Sequence, residues 1–264
     1  MNFRALVIDM DGVLWRGQTA LPGLSTFFEV LNHKDIPFVL ATNNAMNTAA
    51  DYVQKLAGFG VRVDAEQILT SAEATASYLR RSYPDVSEVY AVGEAGLHRA
   101  LNAQGFAVVS PEDVRRGSRP PLVVTALARE SLSYELLAMA TLAVNGGAQI
   151  VATNADPSYP TELGMAPGAG ALLSVITSAT GKTAEVVGKP EPLMFQEALR
   201  RLGVPASDSA MVGDRLSTDI QGAAGVGMQT ILVLSGVSSR ADADKSEVKP
   251  DYVLEDIREL SRRL

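Results

Sequence analysis

Two aspartates set two residues apart, Asp9 and Asp11, close the apolar run Ala5-Leu6-Val7-Ile8, and Gly12 follows at once. Carboxylates this close repel each other unless a proton or a metal ion lies between them. A hard dication that prefers oxygen ligands, such as Mg²⁺, is their natural partner. Gly12 lets the backbone turn sharply straight after the pair. The bare spacing reads equally well as an Asp-rich turn, because Asp and Gly dominate turns. Small polar clusters recur down the chain: Thr42-Asn43-Asn44, Lys189 in Val187-Gly188-Lys189-Pro190, and Gly213-Asp214 followed by Ser217-Thr218-Asp219. A hydroxyl with successive backbone N–H groups suits a phosphate oxygen, and a lysine can meet a bound anion. Taken singly, Thr42-Asn43-Asn44 is ordinary turn chemistry and Lys189 an ordinary surface lysine.

What must position these groups is a set of short buried strands. Ala5–Ile8, Phe38–Ala41, Ala210–Val212, Thr230–Leu234 and Tyr252–Leu254 are brief apolar runs rich in β-branched residues. Helical patterns lie between them: Pro22 to about Lys34, Thr48 to about Gly58 behind Asn47, Pro192 to Leu202, and onward from Ile257. That alternation predicts a parallel sheet in an α/β fold, in which ligands bind outside the carboxyl ends of the strands. Each polar cluster falls at such an end. The Val13–Gly17 segment lies between two glycines and reads as a mobile flap, with Trp15 either touching a ligand or packing the loop down.

The middle of the chain has a rhythm of its own. A helix from Ser71 runs to about Tyr83, and Pro84-Asp85 breaks the pattern. Strands at Val89–Val92, Leu122–Thr125 and Gln149–Thr153 then alternate with helices at Glu94–Ala103, at Ser133–Asn145 and up to Gly181, with a polar loop from Ser110 to Arg119. This is a second α/β unit, expected over 84–183, inside a first one expected over 1–83 and 184–264. Ala152-Thr153-Asn154 repeats Ala41-Thr42-Asn43. The first copy is preferred, because its strand follows the Asp9 strand by one helix, the ordinary βαβ distance. The Gly222–Gly227 run resembles a dinucleotide fingerprint but follows a helix instead of a strand, so it reads as a helix end.

At 264 residues, 47% of them apolar and 20% charged, the chain has the composition of an ordinary globular protein with ample length for a core. A net charge of −7 argues against a nucleic-acid partner. The absence of cysteine excludes disulfides, a thiol nucleophile and Cys-ligated zinc. No apolar stretch reaches membrane-spanning length and no signal peptide is visible, so a soluble, cytoplasmic protein without membrane contact is expected. The two histidines, His33 and His98, read as a solvated helix-terminal cation and a structural residue.

Together these clusters resemble the four motifs of the haloacid dehalogenase superfamily: Asp9-Met10-Asp11-Gly12-Val13, Thr42, Lys189, and Gly213-Asp214 with Asp219. The strings Thr42-Asn43-Asn44, Val187-Gly188-Lys189-Pro190 and Met211–Arg215 leading to Thr218-Asp219-Ile220 are most similar to subfamily IIA. That branch includes 4-nitrophenyl phosphatases, the ribonucleotide monophosphatase NagD, and pyridoxal and phosphoglycolate phosphatases. The 33 positions from Asp9 to Thr42 are too few for an inserted domain, whereas the 147 from Thr42 to Lys189 hold the second unit. The resemblance implies a Rossmann-like three-layer core with a parallel sheet plus an inserted α/β type-2 cap domain that covers the site and largely selects substrate.

The resemblance further implies a Mg²⁺-dependent phosphomonoesterase acting on small phosphate esters: a sugar phosphate, a nucleotide monophosphate, phosphoglycolate or 4-nitrophenyl phosphate. Asp9 is then the nucleophile that becomes an aspartyl-phosphate, and Asp11 the general acid and base. Mg²⁺ is held by the Asp9 carboxylate, the Asp11 backbone carbonyl and Asp214, and Asp219 supports the metal through water or orients Lys189. Thr42, the Asn43 N–H and Lys189 hold phosphoryl oxygens, while Gly12 and Asn44 support the turns. An acid at the Asp11 position argues for phosphate esters over carbon–halogen bonds. Tyr159 stands where pyridoxal phosphatases carry a substrate-contacting histidine, which weakens that substrate. Two copies pairing through the cap, as relatives often do, is the assembly the resemblance suggests. The competing readings are a phosphotransferase using the same aspartyl-phosphate and a phospho-accepting receiver module, which is about half this size.

Overall fold

The computed structural model describes Met1, residues 3–161 and residues 163–264. Two compact units account for the chain: Met1–Thr42, Ala49–Leu69 and Lys189–Leu264 in the first, Asn43–Thr48 and Thr70–Gly188 in the second.

The first unit is built on a six-stranded sheet in the order Tyr252–Leu254, Gln229–Val233, Ser209–Gly213, Ala5–Ile8, Phe38–Thr42, Ile68–Thr70. The pairings from Tyr252–Leu254 across to Phe38–Thr42 are all parallel. Every residue of Ala5–Ile8, Phe38–Thr42 and Ser209–Gly213 is buried, as expected of strands covered on both faces, and this is why they read as unbroken apolar runs. The helix Leu24–His33 turns Leu24, Phe27, Phe28 and Leu31 inward, and Ile257 and Leu260 of the helix Ile257–Arg263 join the same core. In register, Ile8 lies opposite both Val212 and Leu40. Asp9, Thr42 and Asp214, each one or two residues further on, therefore emerge at one carboxyl edge.

The second unit holds a five-stranded sheet in the order Ala184–Val186, Gln149–Ala152, Leu122–Thr125, Glu88–Val92, Ala107–Val109, again all parallel. Its core gathers Tyr90, Val123 and Ile150 of the strands with Val144 and Ile176 of the helices Tyr134–Asn145 and Ala169–Thr180. An antiparallel hairpin joins Ser158–Thr161 to Gly164–Pro167. Among the described residues, no helix is long and apolar enough to cross a membrane.

Several expectations need correction. The unit boundary anticipated at 83/84 falls after the helix Ser71–Ser82, which belongs to the second unit together with 70–83. No loop separates that helix from the strand Ile68–Thr70: Thr70 itself caps it, accepting from the Glu73 N–H, so no turn signal marks the change. The far boundary anticipated at 183/184 is also displaced, because Ala184–Val186 pairs with Gln149–Ala152 as an edge strand of the second sheet. The expected flap at Val13–Gly17 includes part of a short hairpin, Trp15–Arg16 with Thr19–Ala20, and Val13, Leu14 and Trp15 are fully buried. The expected polar loop from Ser110 contains the helix Pro111–Arg115, opened by a Ser110–Asp113 capping box and a first-turn proline. Gly227, with φ +82°, follows the helix Gln221–Gly225 and its cap residue Val226, so the glycine run is a helix end.

Candidate active site

At the carboxyl edge of the first sheet, Asp9, Asp214 and Asp219 bring three buried carboxylates together, with one oxygen from each lying within 4.8 Å of the others. Asp9 follows Ala5–Ile8, Asp214 follows Ser209–Gly213, and Asp219 is carried inward on the π-helical turn Leu216–Ile220, a wide turn of the kind found at functional sites. Lys189 is the counter-charge. Its Nζ donates to Asp9 Oδ1 at 2.6 Å and to the Ala41 carbonyl at 3.1 Å, and lies 2.7 Å from Asp219 Oδ1. It is 3% exposed, so the reading of a solvated lysine does not hold.

The backbone completes the cradle. Asp214 Oδ2 accepts from the Val237 N–H at 2.8 Å, the Asp214 carbonyl accepts from the Ser238 N–H at 3.0 Å, and Asp219 Oδ2 accepts from the Arg215 N–H at 3.1 Å. Gly12 has φ +83°, and a Cβ there would collide with Asp214 Oδ2. Both the turn and the close approach therefore require glycine.

Burial pushes the Asp9 carboxyl well above the usual carboxylate range; Lys189 pulls it back, and Asp219 and Asp214 add to the rise. Asp214 is pushed up to about 6 by burial and by Asp219, against the opposing pull of the Val237 N–H and the neighbouring cations. Lys189 is pushed up despite its burial, because Asp219 and Asp9 hold its charge. Three carboxylates against one ammonium leave a surplus of about two negative charges in a water-poor site, an arrangement that costs free energy unless a cation joins it. The donors are all hard oxygens, the set that suits Mg²⁺, so the residues fit a dication.

Asp11 stands apart from that cluster. Its carboxylate is exposed and accepts from Trp15 Nε1 at 2.8 Å.

A model of haloacid dehalogenase-like hydrolases matches residues 6–107, and a second HAD-hydrolase-like model matches residues 186–260. An acid sugar phosphatase of Staphylococcus aureus is 39% identical over 258 residues, covering 98% of this chain and 96% of that protein. The chain belongs to the haloacid dehalogenase-like hydrolases. Among solved structures, NagD of E. coli superposes with TM-score 0.89 at 34% identity over 98% of both chains. A p-nitrophenyl phosphatase from Archaeoglobus fulgidus superposes with TM-score 0.91 at 29% identity over the full length of both. These likenesses place it in subfamily IIA and make it a phosphatase of the haloacid dehalogenase type.

In this phosphatase the remaining motif residues divide between the two units. Thr42 is buried at the end of Phe38–Thr42, beside the Asp9 strand. Asn43 and Asn44 belong to the second unit. There Asn43 Nδ2 donates to Asp156 Oδ2 at 3.1 Å, and its carbonyl accepts from Ser71 Oγ at 2.6 Å and from Asn154 Nδ2 at 2.9 Å. Asn44 Oδ1 accepts from the Met46 N–H, an Asx turn. So the repeated Ala-Thr-Asn string meets its own first copy: Asn154 holds the Asn43 peptide. Tyr159 lies with the Arg129 guanidinium 5.6 Å from its ring.

Sequence reasoning passed over two features. The Ser235–Ser238 stretch grips Asp214 and was visible only as a small polar cluster after another core strand, Gln229–Val233. The tie from Trp15 to Asp11 has the spacing of a tight turn, but only the fold makes the indole turn inward.

Proposed function

We propose that this phosphatase hydrolyses monoesters of small metabolites, sugar phosphates foremost, with Mg²⁺ as cofactor and an aspartyl-phosphate on Asp9 as intermediate. The observation that carries the reading is the buried Asp9–Asp214–Asp219 cluster with the buried Lys189 ammonium paired to Asp9 and Asp219. The names of its relatives, an acid sugar phosphatase and p-nitrophenyl phosphatases, support sugar and aryl phosphates as substrates.

Asp9 Oδ1 is held by Lys189, which aims the carboxylate and leaves Oδ2 to attack phosphorus. As the Asp9–phosphorus bond forms, the bond to the leaving oxygen breaks, and Asp11 gives that oxygen its proton. Asp11 then takes a proton from the water that cleaves the acyl phosphate, which returns Asp9 as a carboxylate. Thr42 and Lys189 hold phosphoryl oxygens, and the Asn43 N–H is assigned with them by the motif. Asp219 keeps Lys189 charged and in place. Asp9, Asp214 and the Asp11 carbonyl are the groups that would hold Mg²⁺. When bound, the ion cancels negative charge on the transferring group.

Phosphate release from 4-nitrophenyl phosphate and from a panel of sugar phosphates, with Mg²⁺ and then with EDTA, tests the reading. Activity that needs the metal and vanishes in Asp9→Asn is the expected result. Activity surviving in Asp9→Asn would remove Asp9 as nucleophile. A stable phospho-Asp9 without turnover would favour the receiver reading.

A further inference from the structure

Trp15 is the chain's single tryptophan, and it is fully buried although it opens a two-residue hairpin strand only four residues after Asp11. Its ring stacks on Tyr52 with centroids 6.2 Å apart and an interplanar angle of 18°, and meets Phe59 at 6.1 Å. Lys55 Nζ sits 4.3 Å from the ring centroid while donating to the Gly17 carbonyl at 2.8 Å, which pins the hairpin to the helix Ala49–Gly58. The backbone joins in: the Gly12 N–H donates to the Trp15 carbonyl at 2.7 Å. A ring held on these sides has one orientation, and in it Nε1–H donates to Asp11 Oδ1 at 2.8 Å. An indole N–H could have been satisfied by any backbone carbonyl. Here it is directed to the Asp11 carboxylate, whose charge Lys55 also faces.

We propose that Trp15 is a positioning residue for Asp11, an inference that rests on the acid–base role given to Asp11 above. The indole is a donor only. Its contact with Oδ1 therefore assigns that oxygen as acceptor and leaves Oδ2 to carry the transferable proton. When the bond from phosphorus to the leaving oxygen breaks, the proton on Oδ2 passes to that oxygen. When water attacks the acyl phosphate, Oδ2 takes a proton back, and Oδ1 stays on the indole throughout. The fixed rotamer supplies orientation before the reaction begins, which is where misplacement of a reacting group is most damaging.

Leaving groups discriminate this role from simple packing. An alkyl alcohol needs protonation as it departs, whereas 4-nitrophenolate departs as a stable anion. The ratio kcat/KM reports steps up to that departure and omits the later hydrolysis. In Trp15→Phe, which keeps an aromatic ring and removes the donor, kcat/KM for glycerol phosphate should fall on the order of tenfold or more, and that for 4-nitrophenyl phosphate by less than about threefold. Equal losses on both esters would reduce Trp15 to packing, and no loss on either would also overturn the proposal.

Should Trp15→Phe fail to fold, the single indole still reports. In the ¹H–¹⁵N spectrum of the wild type, its one Nε1–H resonance should shift in Asp11→Ala and exchange with solvent at least about tenfold faster, as a lost hydrogen bond requires. An unmoved resonance would refute the contact. A wild type that hydrolyses neither these esters nor any of the sugar phosphates would overturn the phosphomonoesterase reading, and with it the catalytic purpose of the contact, while the indole resonance would still show whether the contact exists.

Discussion

Replacing Lys189 by methionine removes the one ammonium that, among the described residues, pairs with Asp9 and Asp219 in the buried cluster. Methionine matches the lysine stem in length and apolar character, so the packing volume is nearly kept. What is lost is a donor to Asp9 and to the Ala41 carbonyl and the ion pair with Asp219, all with little water nearby. Breaking a buried ion pair by removing one partner costs about 3–5 kcal/mol, because the other partner stays buried and uncompensated. At about 2–4 °C per kcal/mol for a chain of this size, the melting temperature in EDTA should drop by about 6–20 °C. Circular dichroism during heating gives the number directly.

The same charge logic predicts two dependent results. Saturating Mg²⁺ should stabilise Lys189→Met, by about 2.7 kcal/mol at a hundredfold excess over its dissociation constant, since the ion binds the folded cluster only. Adding Asp219→Asn should recover part of the loss, with a coupling of about 0.5–3 kcal/mol between two groups 2.7 Å apart. A Lys189→Met protein that melts within about 1 °C of wild type in EDTA would refute the assignment of Lys189 as the counter-charge of the cluster.

Two further substitutions follow from local geometry. Gly12→Ala places a Cβ at φ +83° against Asp214 Oδ2, whereas Gly17→Ala meets the same kind of backbone at φ +55° with open space around it. Both should lose about 1–2 kcal/mol in thermal unfolding from the left-handed backbone, but only Gly12→Ala should also lose Mg²⁺-dependent phosphate release. Equal activity in the two would show that the Asp214 approach does not matter. In the second unit, partial burial raises Glu94, but the N–H groups of Arg129, Glu130 and Ser131 outweigh it and hold the carboxyl below its ordinary 4.5. A depressed folded value gives stability that is present above the unfolded value and lost as pH falls through the folded one. Wild type should therefore exceed Glu94→Gln by about 1 kcal/mol at pH 7, with the gap closing below about pH 4.5. A gap that does not narrow as pH falls below about 4.5 would assign the loss to shape and not to charge.

How much of this was legible in the sequence depends on the physical range of each signal. A strand covered on both faces must be apolar throughout, so Ala5–Ile8 and Phe38–Thr42 declare themselves locally, and so do the polar residues that follow them. Ile68–Thr70 is equally buried but only three residues long and runs straight into its helix, so no period is established before the pattern changes. Ala184–Val186 shows the opposite failure. It lies where the chain was expected to return to the first unit, but nothing in so short a strand names its partner, and its neighbour is Gln149–Ala152 of the second sheet. Site residues follow the same division. Asp9, Asp214 and Lys189 were visible because chemistry limits which side chains can sit at a strand end beside a metal or a phosphate. Asp219 and its tie to Lys189 came with the motif resemblance; that an indole turns inward to hold Asp11 depends on an aromatic stack with Tyr52, which lies far along the chain. Residues that touch the reacting groups are constrained by chemistry and leave a local mark; residues that aim them are constrained by packing, and their mark is spread over the fold.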